Sequence, residues 1–183
     1  MQKNMIWKGL DADTTENCLI NYIGDTIIVR SEIKGWNEGK AVSLEYMIRL
    51  NNRWEVLNLD LKSFIDREQF QLELARDEND SWSDSSGSIY YEFKGCRYVD
   101  ITLTPFTNSL PVNGLGLSAG EEKSINVVYI DIMQNDIRND RQSYTKLDRL
   151  KYRFENEGGS FTADIDVDEQ GFVTDYPKLF QSI

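Results

Sequence analysis

The side chains of this sequence that could do chemistry are carboxylates, hydroxyls and phenols, because the chain of 183 residues contains no histidine. That absence removes the commonest general base at neutral pH, the Ser/His/Asp and Cys/His nucleophile arrangements and most zinc sites. Asp, Glu, Tyr and Lys remain. Asp100, Thr102 and Thr104 alternate in sequence and so share one face of a strand, where they offer the mixture of donors and acceptors that sugar hydroxyls need. The same alternation also describes an ordinary solvated sheet face. Asp164, Asp166 and Asp168 invite a calcium reading, and Asp166-x-Asp168-x-Gln170-Gly171 imitates the start of an EF-hand loop. The twelfth position, however, is Pro177 where a bidentate Glu belongs. Alternation with Phe161, Ile165 and Val167 explains the three carboxylates as a wet strand face, so no metal ligand is assigned. Paired carboxylates for glycoside hydrolysis cannot be singled out among 31 acids. Gly114-x-Gly116-x-x-x-Gly120 lacks the helix and the Lys-Ser/Thr pair of a phosphate loop. No catalytic residue and no cofactor is assigned.

The elements that would position these groups are strands. Gly95 to Pro111 joins an alternating strand, with Val99, Ile101 and Leu103 on one face and Tyr98, Asp100, Thr102 and Thr104 on the other, to a turn opened by Pro105. Before it, a first strand surrounds Trp7, and Asp11 to Asn17 reads as a polar loop. Gly24-Asp25 closes a hairpin, and the best-patterned strand places Val42, Leu44, Tyr46, Ile48 and Leu50 on one face. A change of phase after Val56 predicts a bulge near Val56-Leu57. Lys62 to Glu68 could hold a turn of helix, and Asp77 to Ser86 reads as a polar loop around Trp82. A nearly continuous apolar strand, Ser124 to Ile132, is followed by a charged solvated stretch, Gln134 to Asp140. Strands through Gln142, Tyr144, Tyr152 and Phe154, and then through Ile165 and Val167, lead to a reversal at Gly171. The expectation is about ten short strands in one domain spanning 1–183, with little helix.

A net charge of −11 with scattered Lys and Arg repels phosphate backbones, so nucleic acid is not an expected partner. No apolar run approaches the roughly 20 residues of a membrane helix. No apolar signal region opens the chain, and the expected compartment is the cytoplasm. Cys18 and Cys96 are accordingly expected reduced and packed. Of Trp7, Trp36, Trp54 and Trp82, any could stack on a sugar, although core packing is the commoner role.

Thr104-Pro105-Phe106-Thr107-Asn108, Leu110-Pro111, Gln142-Ser143-Tyr144, Tyr152-Arg153-Phe154-Glu155 and Val167-Asp168-x-x-Gly171-x-Val173-x-Asp175-Tyr176-Pro177 together resemble a bacterial family of putative glycolipid-binding proteins. The chain departs from that pattern at Arg97-Tyr98 and at Met133, where a proline is usual. The resemblance implies a strongly curved antiparallel sheet forming an open half-barrel, similar to lipoprotein carriers. It also implies a lipid or glycolipid ligand on the concave face. On that reading the apolar part of the ligand lies against Tyr46, Ile48 and Trp54. Its polar head lies near Tyr98, Asp100, Thr104, Asn108, Gln142 and Tyr144, while Pro105, Pro111, Gly171, Tyr176 and Pro177 shape the frame. Two other readings stand beside it: an enzyme of glycolipid or sugar-conjugate metabolism using carboxylates or Tyr, and a structural or interaction module whose interior is filled by its own side chains.

Overall fold

The computed structural model describes residues 1–183. The first half of the chain is a run of antiparallel strands: Gln2–Gly9 (β1), Asp13–Ile23 (β2), Thr26–Asn37 (β3), Lys40–Asn51 (β4), Val56–Ile65 (β5), Glu68–Arg76 (β6), Trp82–Asp84 (β7) and Ile89–Tyr90 (β8). Tyr98–Ile101 (β9) and a short helix, Ser109–Gly114 (α1), come next. Six more strands complete the chain: Glu122–Asp131 (β10), Asp136–Asp148 (β11), Lys151–Asn156 (β12), Thr162–Val167 (β13), Val173–Tyr176 (β14) and Phe180–Ser182 (β15). All fifteen belong to one open sheet that begins at β8, runs back to β1, passes to β15 and ends at β9. Every pairing is antiparallel except β9 with β10, where Tyr98 to Ile101 lie parallel to Val127 to Ile130. The two chain ends meet in the middle of the sheet, Trp7 opposite Ser182.

The mainly β architecture and the open sheet are as the sequence implies, but the strands number fifteen rather than about ten. The additional strands, such as β7, β8 and β15, are only two or three residues long, and other strands run further than their apolar pattern suggests. Of the expected loop from Asp11 to Asn17 only Asp11 and Ala12 form a bend; Asp13 to Asn17 belong to β2, where Thr14 and Glu16 occupy inward positions and both are buried. Lys62 to Ile65 continues β5 rather than starting a helix, and Trp82 opens β7 with its ring wholly buried and its Nε1–H donated to the Cys96 carbonyl at 2.9 Å. The charged stretch before Gln142 already belongs to β11. The expected bulge is present: Arg49 pairs with Asn58 and Leu50 with Val56, leaving Leu57 over. Cys18 and Cys96 are buried free thiols.

The strand before Pro105 is shorter than its alternation suggests, ending at Ile101, and Leu103 then takes φ 71° and turns the chain inward. From Thr104 to Val112 nine consecutive residues are buried. This inner segment packs between the faces of the sheet's two arms, with Phe106 between Tyr46 and Phe172 at 6.4 Å from each ring. Its polar side chains all find partners there, as burial requires. Thr104 donates to Glu16 Oε1 at 3.0 Å, Thr107 to Asp100 Oδ1 at 3.2 Å and Asn108 to the Tyr144 hydroxyl at 2.9 Å. The Ser109 hydroxyl accepts from the Val173 amide at 3.2 Å. Pro111 falls in the first turn of α1, where its missing N–H costs nothing.

The edges are tacked together without forming a ladder. Val56 N–H donates to the Arg97 carbonyl and Gly95 N–H to the Asp80 carbonyl, each at 2.9 Å. Buried Glu55 and half-buried Asp80 receive Arg97 across the same seam, and the half-buried Arg76 lies against both. At the opposite side Asp168 caps the turn into Phe172, accepting from Gln170 N at 2.8 Å and Phe172 N at 3.0 Å. Gly171 is required there: its φ is 75°, and a Cβ would meet the Asn113 amide at 2.5 Å.

Candidate functional site

Polar and aromatic groups converge on a cavity of about 490 Å³ between the inner segment and the inner face of β9 to β13, a volume in the range of small-ligand sites. Its floor is polar. Asp100 comes from β9, Arg138, Asp140 and Gln142 come from alternate positions of β11, and Thr104 and Asn108 come from the inner segment. Its other wall is aromatic, built from Phe154, Phe161, Tyr176 and Phe180, with Tyr129 on the floor side. The mouth is formed by the turns around Asp11 and Glu38. A period of two explains the floor, since Arg138, Asp140, Gln142 and Tyr144 must share one face of β11.

Gln142 organises the floor. Its Nε2 donates to Asp100 Oδ2 at 2.6 Å and, more weakly, to Asp140 Oδ2 at 3.4 Å. Thr107 supplies the second donor to Asp100 while accepting from the Ile101 amide at 3.3 Å. Burial raises the Asp100 carboxyl, the Gln142 and Thr107 bonds oppose that, and the nearby Asp140 charge adds to it. Gln142 is 2% exposed and its Oε1 has no donor. Burial and the Asp100 charge together raise the Tyr144 phenol, so it stays protonated.

A second carboxyl, buried and placed in a loop by the sequence reading, lies behind the inner segment. Glu16 Oε1 accepts from Ser31 and Tyr46 at 2.6 Å each and from Thr104 at 3.0 Å, while Oε2 is buried without a partner. Burial pushes this carboxyl up to about 7, the three hydroxyls offsetting only part of that. The proton therefore belongs on Oε2, because Oε1 is occupied by donors. No cavity is lined by Glu16 among those at either face, and its cluster is a closed one.

Of the side chains singled out from sequence, Asp100, Thr104, Asn108 and Gln142 line the cavity together, with Tyr144 directly behind Asn108. Tyr46 and Ile48 face the inner segment and are buried under it. Trp54 packs edge-on between Tyr22 at 6.3 Å and Phe172 at 5.6 Å, far along the core from this floor. Tyr98 shares the face of Asp100 on β9 but lies outside this cavity, buried with its hydroxyl over Gly114. Pro105 and Pro111 lie in the inner segment, Gly171 is in the Asp168 turn, Tyr176 is on the aromatic wall and Pro177 is in the exposed turn after it. Asp164 and Asp166 are each taken by a base on β12, Arg153 at 2.7 Å and Lys151 at 2.8 Å. Trp7 donates to the Val173 carbonyl at 2.7 Å and Trp36 is exposed. Sequence reasoning missed Tyr129, Arg138, Asp140, Phe154 and Phe161 as lining residues. The parity of Arg138 and Asp140 with Gln142 was the available signal. A groove of about 460 Å³ on the outer face of β2 to β6 combines charged side chains such as Arg30, Glu32 and Asp60 with Tyr46, Met47 and Leu61, without the aromatic wall of the first cavity.

A family model described as putative glycolipid-binding matches residues 4–182. A crystal structure of a DUF1089 family protein from Pseudomonas aeruginosa is similar at a TM-score of 0.80 and 32% identity, over 92% of this chain and 92% of that one. No curated protein matches the chain.

Proposed function

The chain belongs to the putative glycolipid-binding family, and from that premise we propose that it is a binding protein for an amphipathic ligand of the lipid or glycolipid kind. The ligand occupies the cavity at the mouth of a half-barrel. Its polar head rests on Asp100, Asn108 and Gln142, and its apolar part lies along Phe154, Phe161, Tyr176 and Phe180. The observation that carries this reading is the division of one cavity into a hydrogen-bonding floor and an aromatic wall. Such a site satisfies both ends of an amphipath, because polar groups are placed only where a head can meet them. Tyr46 and Ile48 play no part in contacting the ligand, since the inner segment already covers them. Their role is to seat that segment, and hence the floor.

Native mass spectrometry of the protein purified from its own host tests the reading. The expected result is a native mass exceeding the denatured mass by a component that extracts into organic solvent. A bare native mass, with no thermal shift across a panel of lipids and glycolipids, would overturn it in favour of a filled structural module.

A further inference from the structure

The cavity floor carries two carboxylates, Asp100 and Asp140, that form no ion pair within the protein. Asp100 and Asp140 share the Gln142 amide nitrogen, so their Oδ2 atoms face one small region. Asp100 has only neutral donors, Thr107 and Gln142. The one basic side chain on the wall is Arg138, whose guanidinium bonds Asp136 at 2.6 Å and lies over the Tyr129 ring at 4.2 Å, so that it attracts Asp140 only at longer range. Beside the carboxylates sits Gln142 Oε1, buried and without a donor. Turning the amide would not relieve it, because the oxygen would then face both carboxylates.

A phosphate or sulfate head would meet like charge on this floor. A neutral hydroxyl could satisfy Gln142 Oε1 but would leave two partly buried carboxylates without an ion-pair partner. A protonated amine meets all three needs, bringing three N–H donors and one positive charge to a site with three acceptors. Tyr129 adds a ring face to which cations are attracted. We propose that the amphipathic ligand bears a protonated amine in its head group, held between Asp100, Asp140 and Gln142 Oε1. This rests on the cavity being the amphipath site. Its charge also accords with the raised Asp100 carboxyl, which a bound cation would bring back down.

Calorimetric titration of the intact chain with three probes of equal chain length, decylammonium chloride, decyl β-glucoside and sodium decyl sulfate, each below its micellar concentration, tests it. Decylammonium should bind roughly tenfold tighter than the glucoside, the scale of one charge-assisted hydrogen bond, and the sulfate should not bind. Asp140→Asn, whose only bond is the 3.4 Å one, should abolish the preference. Glu45→Gln on the outer groove removes the same charge and should leave it intact. Equal or tighter binding of the glucoside, or a preference that survives Asp140→Asn, would overturn the amine while leaving the amphipath reading standing. A calcium chloride titration that matched decylammonium would reassign the floor to a metal ion. Binding of none of the probes would overturn both readings.

Discussion

Glu16 and Asp100 are two inward carboxyls, the first buried and the second half-buried, tied to the same inner segment, Glu16 through Thr104 and Asp100 through Thr107. They sit in opposite arms of the sheet and end in different surroundings. Glu16 gathers three hydroxyls onto one oxygen inside a closed cluster, whereas Asp100 has two donors and opens onto a cavity. The difference separates a clip from a site. In the N-terminal arm the inward alternation of β2 to β5 is apolar except for Thr14, Glu16, Ser31 and Ser63, so the inner segment can seal it. In the C-terminal arm β11 turns Arg138, Asp140 and Gln142 inward, and the cavity lies open over Arg138 and Asp140 with Gln142 buried at its base.

The largest effect on this contrast should come from removing the seal. Phe106 is fully buried between the two arms, and Phe106→Ala should cost about 3–5 kcal/mol of stability. Urea unfolding followed by tryptophan fluorescence measures it. A cost below about 1 kcal/mol would mean that the inner segment merely rests in the sheet.

Glu16→Gln sharpens the comparison through pH. The folded carboxyl is raised to about 7 from an ordinary 4.5, so between those values the native state binds more protons than the unfolded chain. This group's contribution is whole below about pH 4.5 and is lost as pH rises through 7, a change of about 3 kcal/mol. The glutamine mimics the neutral acid and escapes that loss. Stability of the variant relative to the parent should therefore rise between pH 5 and pH 8. Asp164 and Asp168, whose carboxyls are lowered by Arg153 and Lys3, work in the opposite sense, but equally in both proteins. Parallel curves of urea midpoint against pH would end the account of Glu16 as a neutral clip.

What the sequence makes legible follows the same division. Val42, Leu44, Tyr46, Ile48 and Leu50 announce β4 because every inward residue is apolar, and the phase change at Leu57 announces its bulge. The first half of β2 stays hidden because Thr14 and Glu16 look like loop residues until their partners are known. The inner segment reads as a surface turn, since a stretch holding two prolines and several hydroxyls ordinarily runs over the outside. Its burial depends on acceptors and donors that lie up to 88 residues away in sequence. Asp100, Thr104, Asn108 and Gln142 could be named from their motifs, but the aromatic wall could not. Phe161 and Phe180 reach it only because β12 to β15 double back past the mouth.

The smallest stability effect belongs to that wall and isolates the site from the clip. Phe161 is 39% exposed and meets Phe154 and Tyr176 with ring centroids 6.0 and 6.3 Å away. Phe161→Ala removes two ring contacts but opens no sealed cavity, so its cost should stay near 1 kcal/mol. If the wall holds the apolar part of the ligand, the same change should weaken decyl β-glucoside or decylammonium several-fold, whichever head is preferred. Phe106→Ala differs because it acts on binding only through the floor that Thr107 and Asn108 maintain. Stability and affinity falling together in Phe161→Ala would make the wall part of the sealed core. Affinity falling alone would mark it as surface kept apolar for a ligand, since bulk water gives no other reason for Phe161 to remain there.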